Sequence, residues 1–455
     1  MTKNRFIFLI LSLAVFTYMY VTSAQGGYES FSVALLTFVF LDFLDNLGKK
    51  VVVLDIAVIL AVFTWLVMPV IFYTYYTKAN HLARIFYKYM PIPADDYFSF
   101  AVPGTLAMII GFKIRLAKLE INERPLEFRA KLDNFFKGKA RSGFILIGIS
   151  FVSGFFLKLA PASLGRVVGL MMHLGYVGVF YIFFSGHKHR IKILIGILSV
   201  LLIESIAQGM FGELVYLMAI FYILIALYSK QQSLTRKLVV TVCGLLIIAL
   251  IQSVKSDYRK VAWVSGGDAG YFMELVARNA LNPSNILQKD ILYGQAVRLN
   301  QGWLIAVTMD RVPRRFEYAY GETIWLSLAA AVIPRIVWPD KPEAGGKYNL
   351  KRFWGYTLRG YSMNIGPIGE AYANFGRTGG IIFMFFYGLF FNLILTSLLR
   401  WCERRPSVLC WIPLLFFYAV VVETDILTSI GSITTGLIFM FIFIRLFKYI
   451  TKISL

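Results

Sequence analysis

Charge is scarce in this sequence: Asp, Glu, Lys and Arg make up 16% of 455 residues, against about 25% in an average soluble domain. Cysteine is scarcer still. Cys243, Cys402 and Cys410 lie in or beside apolar runs with no zinc-like or disulfide spacing, so neither a metal ribbon nor redox chemistry is implied. Of the four histidines, His81 and His173 are isolated and His187 with His189 sits in a basic turn, so no metal site is expected. There is no P-loop glycine-lysine signature, no exposed-serine elbow and no zincin pattern, and no cofactor is expected. No internal repeat or low-complexity tract is visible, so transporters built on inverted repeats gain no support. Acidic residues are the minority, 25 against 46 basic ones, for a net charge of +21. In a soluble protein that excess raises nucleic-acid binding; here the basic residues are topology signals and contacts to anionic lipid, and no nucleic-acid partner is expected.

Apolar residues are abundant. They reach 58% of the chain with a mean hydropathy of +0.67, which predicts an all-α polytopic membrane protein, since a spanning helix needs about 20 predominantly apolar residues. Runs at 6–21, 30–45, 51–75, 97–113, 142–160, 165–184, 191–208, 212–228, 238–254, 378–399, 408–422 and 430–447 give about twelve spans. Thr22-Ser23-Ala24 loosely resembles a signal-peptide cleavage site, but a first spanning helix is the simpler reading in a chain with so many later runs. Lys49-Lys50, the nine basic residues from Lys113 to Arg141, residues 187–190, 230–237, 400–405 and 445–452 all fall on one side of this arrangement. The positive-inside rule makes that side, and both termini, cytoplasmic. The stretch 113–141 reads as a charged amphipathic segment on the inner leaflet, with Leu116, Leu119, Ile121 and Leu126 available to lipid.

The apolar run 323–338 would break this parity if it spanned, and its end carries two prolines and Arg335, so it reads as re-entrant or interfacial. Residues 1–255 thus hold nine spans, 256–377 form one large external region, and 378–455 hold the last helices. Within the external region fifteen Lys or Arg face ten Asp or Glu, an excess of basic residues where the topology rule predicts a deficit. Arginine suits phosphate because its planar fork donates paired hydrogen bonds and stays charged when partly desolvated. An anionic substrate or headgroup is implied, with Arg298, Arg311, Arg314, Arg315, Arg335, Arg352 and Arg359 spread over several elements. Around Arg335 three prolines fix the backbone while Asp340 and Lys341 present charges next to Trp338, a ring suited to a sugar face or an interfacial anchor. In the stretch 366–377, Glu370, Tyr372 and Asn374 supply a carboxylate, a phenol and an amide, with Glu370 and Asn374 on one helical face. Glu370 either holds the loop by a salt bridge or orients an attacking hydroxyl. Glu204 and Glu213, at the outer ends of two spans, are weaker candidates.

The Ile-Pro-Arg-x-x-Trp-Pro-x-Lys-Pro stretch at 333–342 and the Gly-Glu-x-Tyr-x-Asn-Phe-Gly stretch at 369–376, with a large late external loop, resemble the Wzy-type polymerases of polysaccharide repeat units. The similarity covers roughly residues 290–380. It implies a GT-C-class glycosyltransferase of the bacterial inner membrane, working with undecaprenyl-diphosphate-linked oligosaccharide, with membrane lipids and a chain-length regulator as further partners. On that resemblance Arg298, Arg335, Lys341 and Arg352 would hold the diphosphate, Glu370 and then Asp340 would activate the acceptor hydroxyl, and Trp338, Tyr372 and Asn374 would hold sugar. The alternatives are an O-antigen ligase acting on the same carrier and a flippase that moves lipid-linked anionic glycans without bond chemistry.

Overall fold

The computed structural model describes residues 3–22, 26–157, 159, 162–229, 232–282, 284, 288–333, 337–358, 362–453 and 455. Among these residues the protein is helical throughout, the only β feature being an isolated bridge between Leu47 and Lys50. Among the described residues nine helices are long and apolar enough to cross a membrane: 4–22, 27–46, 53–74, 140–157, 164–184, 190–208, 234–264, 366–404 and 426–451. Three expected spans take other forms. Residues 97–113 lie in the helix Ala94–Lys113, which carries Asp95 and Asp96 in its first turn. Residues 212–228 form a 17-residue helix, and 408–422 form a 3-10 turn, Pro406–Trp411, running into the short helix Ile412–Val420.

Small residues set the closest helix contacts. In the crossing of Ala94–Lys113 with the last long stretch of Gly366–Arg404, a Cβ at Gly388 would collide with the Met108 carbonyl, and one at Gly111 with the Phe385 carbonyl. Backbones that close pack well without any hydrophobic drive between helices, as membranes require. Asn392 fixes the crossing by donating from Nδ2 to the carbonyls of Gly111 (2.9 Å) and Ile114 (2.8 Å). Gly143 and Gly178 play the same part between two other helices.

One end of the bundle is basic and tied together by ion pairs. Arg5 meets Asp42 at 2.9 Å, Lys113 pairs with both Asp42 and Asp55, and Lys237 donates to the carbonyl of Leu44 at 3.0 Å. Arg129 donates to the carbonyls of Leu227 and Gly48. The segment 113–141 belongs to this end but does not turn the expected apolar residues to lipid. Leu119 and Ile121 are buried in the protein, and in the helix Pro125–Phe136 the stripe Phe128, Leu132, Phe136 faces inward, with Phe136 edge-on to Tyr181. Only Leu126 is strongly exposed, because the i, i+4, i+8 spacing of the larger rings selects the packed face.

The other end is built from the loops, and two features shape it. The helix Leu234–Ser265 packs on the body through Lys237 near its start and through Val254, Tyr258 and Ala262 in its last third, while residues 238–250 between them are exposed or half-buried. Gly366–Arg404 is two helices meeting at Gly376, whose backbone (φ 67°, ψ −162°) is non-helical. A Cβ at Gly380 would lie 3.2 Å from the Ala371 carbonyl carbon, whereas nine residues of straight helix would separate them by about 13 Å. Residues 366–375 therefore fold back on 377–404 as a helical hairpin.

Candidate functional site

The hairpin break frees carbonyls, and the loop before the helix Glu322–Val332 takes them up. Ala319 N donates to Ala373 O at 3.0 Å and Tyr320 N to Asn374 O at 2.9 Å, which satisfies the groups that a helix end leaves open. Asn374 is fully buried and donates from Nδ2 to Thr323 Oγ1 (2.7 Å) and to Glu370 O (2.8 Å). Tyr372 packs edge-on between Phe100 and Tyr318. Neither side chain presents a free face to a sugar in this arrangement; both hold the short helix 366–375 in place.

That helix places Glu370 against the start of the C-terminal helix Ile426–Thr451. Glu370 is 0% exposed, and its Oε1 accepts from Ile426 N at 2.9 Å. Next to it Asp425, 2% exposed, caps the same helix by accepting from Thr428 N (2.8 Å) and reaches outward to the backbone N–H groups of Gly345 (2.9 Å) and Gly346 (2.8 Å). Gly346 has φ 77°, and a Cβ there would collide with Asn364 and Met363, so glycine is required for this approach. Both carboxylates are thus bound to backbone amides and enclosed.

The other expected residues are separated. Lys341 Nζ donates to the carbonyls of Ala330 (2.7 Å) and Ile333 (2.8 Å), closing the C-terminal end of Glu322–Val332. That helix has eleven residues and packs beside the C-terminal helix, with a Cβ at Gly431 falling 3.7 Å from the Ala331 Cβ; at about 16 Å it covers half a hydrocarbon core. Arg352 Nε lies 3.6 Å from Glu322, which also accepts from Tyr348 Oη at 2.9 Å. Desolvation, then the hydrogen bond to Glu322, pushes the Tyr348 phenol above its ordinary range. Asp340 is exposed and Trp338 half-buried on the turn before Lys341. Arg335 and Arg359 lie outside the described residues.

Arg298 stands in a different group. It ends the helix Lys289–Leu299 and lies in electrostatic reach of Lys255 and Arg259, both on Leu234–Ser265. Lys255 is 5% exposed. Arg259 is held by Gly209 O (2.7 Å) and by the Trp263 ring at 4.8 Å. The carboxylate in electrostatic reach of Lys255 is Glu423, which accepts from Gln301 Nε2 at 3.4 Å and interacts with the Tyr216 phenol. Glu423 belongs to the same turn, 421–425, as Asp425 and is half-buried where Asp425 is enclosed. The sequence signal was there: Glu423-Thr424-Asp425 interrupts two apolar runs, and Lys255 closes a third.

Residues 139–400, more than half of the chain, match a family described as a domain of unknown function (DUF8712). The chain belongs to this family. No curated protein and no solved structure matches it. The part matched to DUF8712 contains Lys255, Arg259, Arg298 and Glu370, while the 421–425 turn follows it. A cleft of ≈ 310 Å³ lies near the other side of the Arg298 helix, lined by Phe72, Tyr73, Lys78, Tyr89, Met90 and Pro93 among others. Met90 Sδ accepts from Asn300, two residues beyond Arg298. Glu204 and Glu213 sit apart, with Glu213 engaged by Tyr176 (2.9 Å) and His173 (3.5 Å). Among the described residues no cluster of His, Cys, Asp or Glu could hold a metal ion.

Proposed function

We propose that this protein is a membrane glycosyltransferase that joins oligosaccharide repeat units carried on undecaprenyl diphosphate. The reading takes the bundle as a GT-C-like arrangement of about twelve spans in the bacterial inner membrane, with the basic end and both termini cytoplasmic. The growing chain on its lipid carrier is the donor, a new lipid-linked repeat is the acceptor, and undecaprenyl diphosphate leaves.

One observation carries this most: Lys255 and Arg259, on one helix, lie within electrostatic reach of Arg298, with Glu423 the carboxylate that acts on Lys255. A diphosphate gains negative charge as its bond to the anomeric carbon breaks, and fixed cations stabilise it without a metal. The route of approach fits as well. Lys255 lies little more than one helical turn beyond residues 238–250, a stretch of exposed and half-buried side chains, which on this reading lets a lipid-borne phosphate approach the cations from the bilayer. The aromatic cleft at Tyr73 and Tyr89 suits the acceptor sugar. Arg298 keeps the role the resemblance gave it. Lys255 and Arg259 take the places of Lys341 and Arg352, which are committed to helix carbonyls and to Glu322.

The test is binding of a fluorescent polyprenyl diphosphate to the purified protein in nanodiscs. Arg298→Ala and Lys255→Ala are each expected to weaken binding about 10-fold or more, the loss typical of one charged contact. Wild-type affinity in both variants would remove the diphosphate site.

A further inference from the structure

Cations and aromatic rings alternate along a row of contacts that begins in the cleft at Tyr73 and Tyr89. Residues 75–93, which supply most of the cleft, hold Lys78, His81, Arg84 and Lys88 and no Asp or Glu. They lie at the opposite end of Ala94–Lys113 from the basic ion-pair network, where topology alone depletes Lys and Arg. Lys78 lines the cleft, its Nζ 5.3 Å from the centre of the Tyr89 ring. Lys88 Nζ lies 3.4 Å from the centre of the Trp303 ring, and Trp303 meets Trp354 edge-on at 5.9 Å. Arg311 continues the row: it donates to Trp354 O (2.8 Å) and to Tyr356 Oη (3.0 Å), with its guanidinium 4.7 Å from the centre of the Tyr356 ring. Trp303 and Arg311 stand at the two ends of the helix Gly302–Arg311, about 12 Å apart, so the cations are spaced along the row and not bunched at one point.

Among the described residues no carboxylate pairs with Lys78, Lys88 or Arg311; Asp310, next to Arg311 in the chain, is taken by Arg314. A ring attracts a cation through its quadrupole and leaves the positive charge without a counter-ion. Lys, Trp and Tyr at a membrane boundary also serve as anchors, but an anchor needs no neighbour, whereas these side chains touch one another and adjoin a cleft of ≈ 310 Å³. We propose that this surface binds an acidic glycan, a sugar chain bearing carboxylates. Lys78, Lys88 and Arg311 take the acid groups, and the accessible parts of Tyr89, Trp303 and Tyr356 pack against the C–H faces of the sugars. Tyr356 is 49% exposed, Tyr89 and Trp303 are half-buried, and the buried Trp354 backs the row. Carboxylates approach the cleft at Tyr73, where Glu29 and Asp96 act on the phenol, which directs the ligand's charge toward Lys78 and Lys88 instead. The proposal rests on the transferase reading given above and names its substrate class: the repeat units it joins are acidic.

The experiment uses the full chain in nanodiscs of zwitterionic lipid, titrated with a tetrasaccharide containing glucuronate and with the same tetrasaccharide after its carboxyls are reduced to alcohols. The acidic form is expected to bind about 10-fold or more tighter, the effect of one charged contact, and the preference to shrink as salt is added. Lys78→Gln and Lys88→Gln are each expected to cut the preference about threefold or more at an unchanged melting midpoint, and Tyr356→Ala to weaken both forms. Equal binding of the two forms, as a row of lipid anchors would give, overturns the proposal. So does binding of neither form, and so does a preference that survives both lysine substitutions. A second titration with polyprenyl diphosphate separates this claim from the one beneath it. Diphosphate binding without a glycan preference removes the acidic-glycan surface alone, whereas a preference for the acidic form without diphosphate binding keeps the surface and removes the transferase reading.

Discussion

Replacing Asp425 by alanine removes one carboxylate and strands three backbone N–H groups at once, those of Thr428, Gly345 and Gly346, at 2.8 to 2.9 Å from its oxygens. Hydrogen bonds to a charged acceptor contribute about 1.5–3 kcal/mol each, and their sum is tempered because part of the freed backbone can turn to water. The expected cost is about 3–5 kcal/mol, as for removing one partner from a buried charged contact. Asn is expected to rescue only half of it. Its carbonyl can cap Thr428, but its amide would then point N–H at the N–H groups of the two glycines. Hydrogen exchange followed by mass spectrometry on the detergent-solubilised protein reads both ends of the contact. Amides at 345–346 and 426–428 should exchange roughly 10²–10³-fold faster in Asp425→Ala. Exchange within about threefold of wild type at both places, with an unchanged thermal midpoint, would refute the view that this carboxylate pins the 345–346 loop to the C-terminal helix.

Two further outcomes follow from the same geometry. Gly376→Ala places a Cβ 3.3 Å from the Tyr318 ring at a backbone conformation only glycine adopts readily, so a loss of about 1–3 kcal/mol is expected as a lower melting midpoint, and an unaltered midpoint would contradict the hairpin break. Lys341→Met leaves the carbonyls of Ala330 and Ile333 without their donor and should cost about 1–2 kcal/mol in stability while leaving polyprenyl-diphosphate binding intact, and weakened binding with normal stability would return Lys341 to the substrate site.

Much of the fold was legible because hydrocarbon imposes a simple rule: apolar runs of the right length become helices. The helices at 27–46, 164–184 and 426–451 needed nothing more. Where a helix is covered by protein, the rule weakens. Ala94–Lys113 carries charge at both ends because Asp96 and Lys113 have partners in Arg377 and Asp55. The hairpin at Gly376 was hidden because the boundary expected after Arg377 marks where a span begins and gives no sign of the direction from which the chain arrives. Motif residues were found, but their roles were not: Glu370 and Asn374 share a face as their spacing requires, yet that face is directed into the protein. Lys255 and Glu423 could have been noticed as charges ending apolar runs. What joins them is an electrostatic interaction between residues more than 160 positions apart, and spacing along one chain does not reveal that.

The most direct test of the transferase reading is mass spectrometry of undecaprenyl-linked glycans from cells lacking this protein, set against complemented cells. Single repeat units accumulated on the outer face of the membrane, with polymer lost and then restored by complementation, are the expected result. Full-length chains left on the carrier would contradict it in favour of a ligase, and repeats trapped on the cytoplasmic face would contradict it in favour of a flippase.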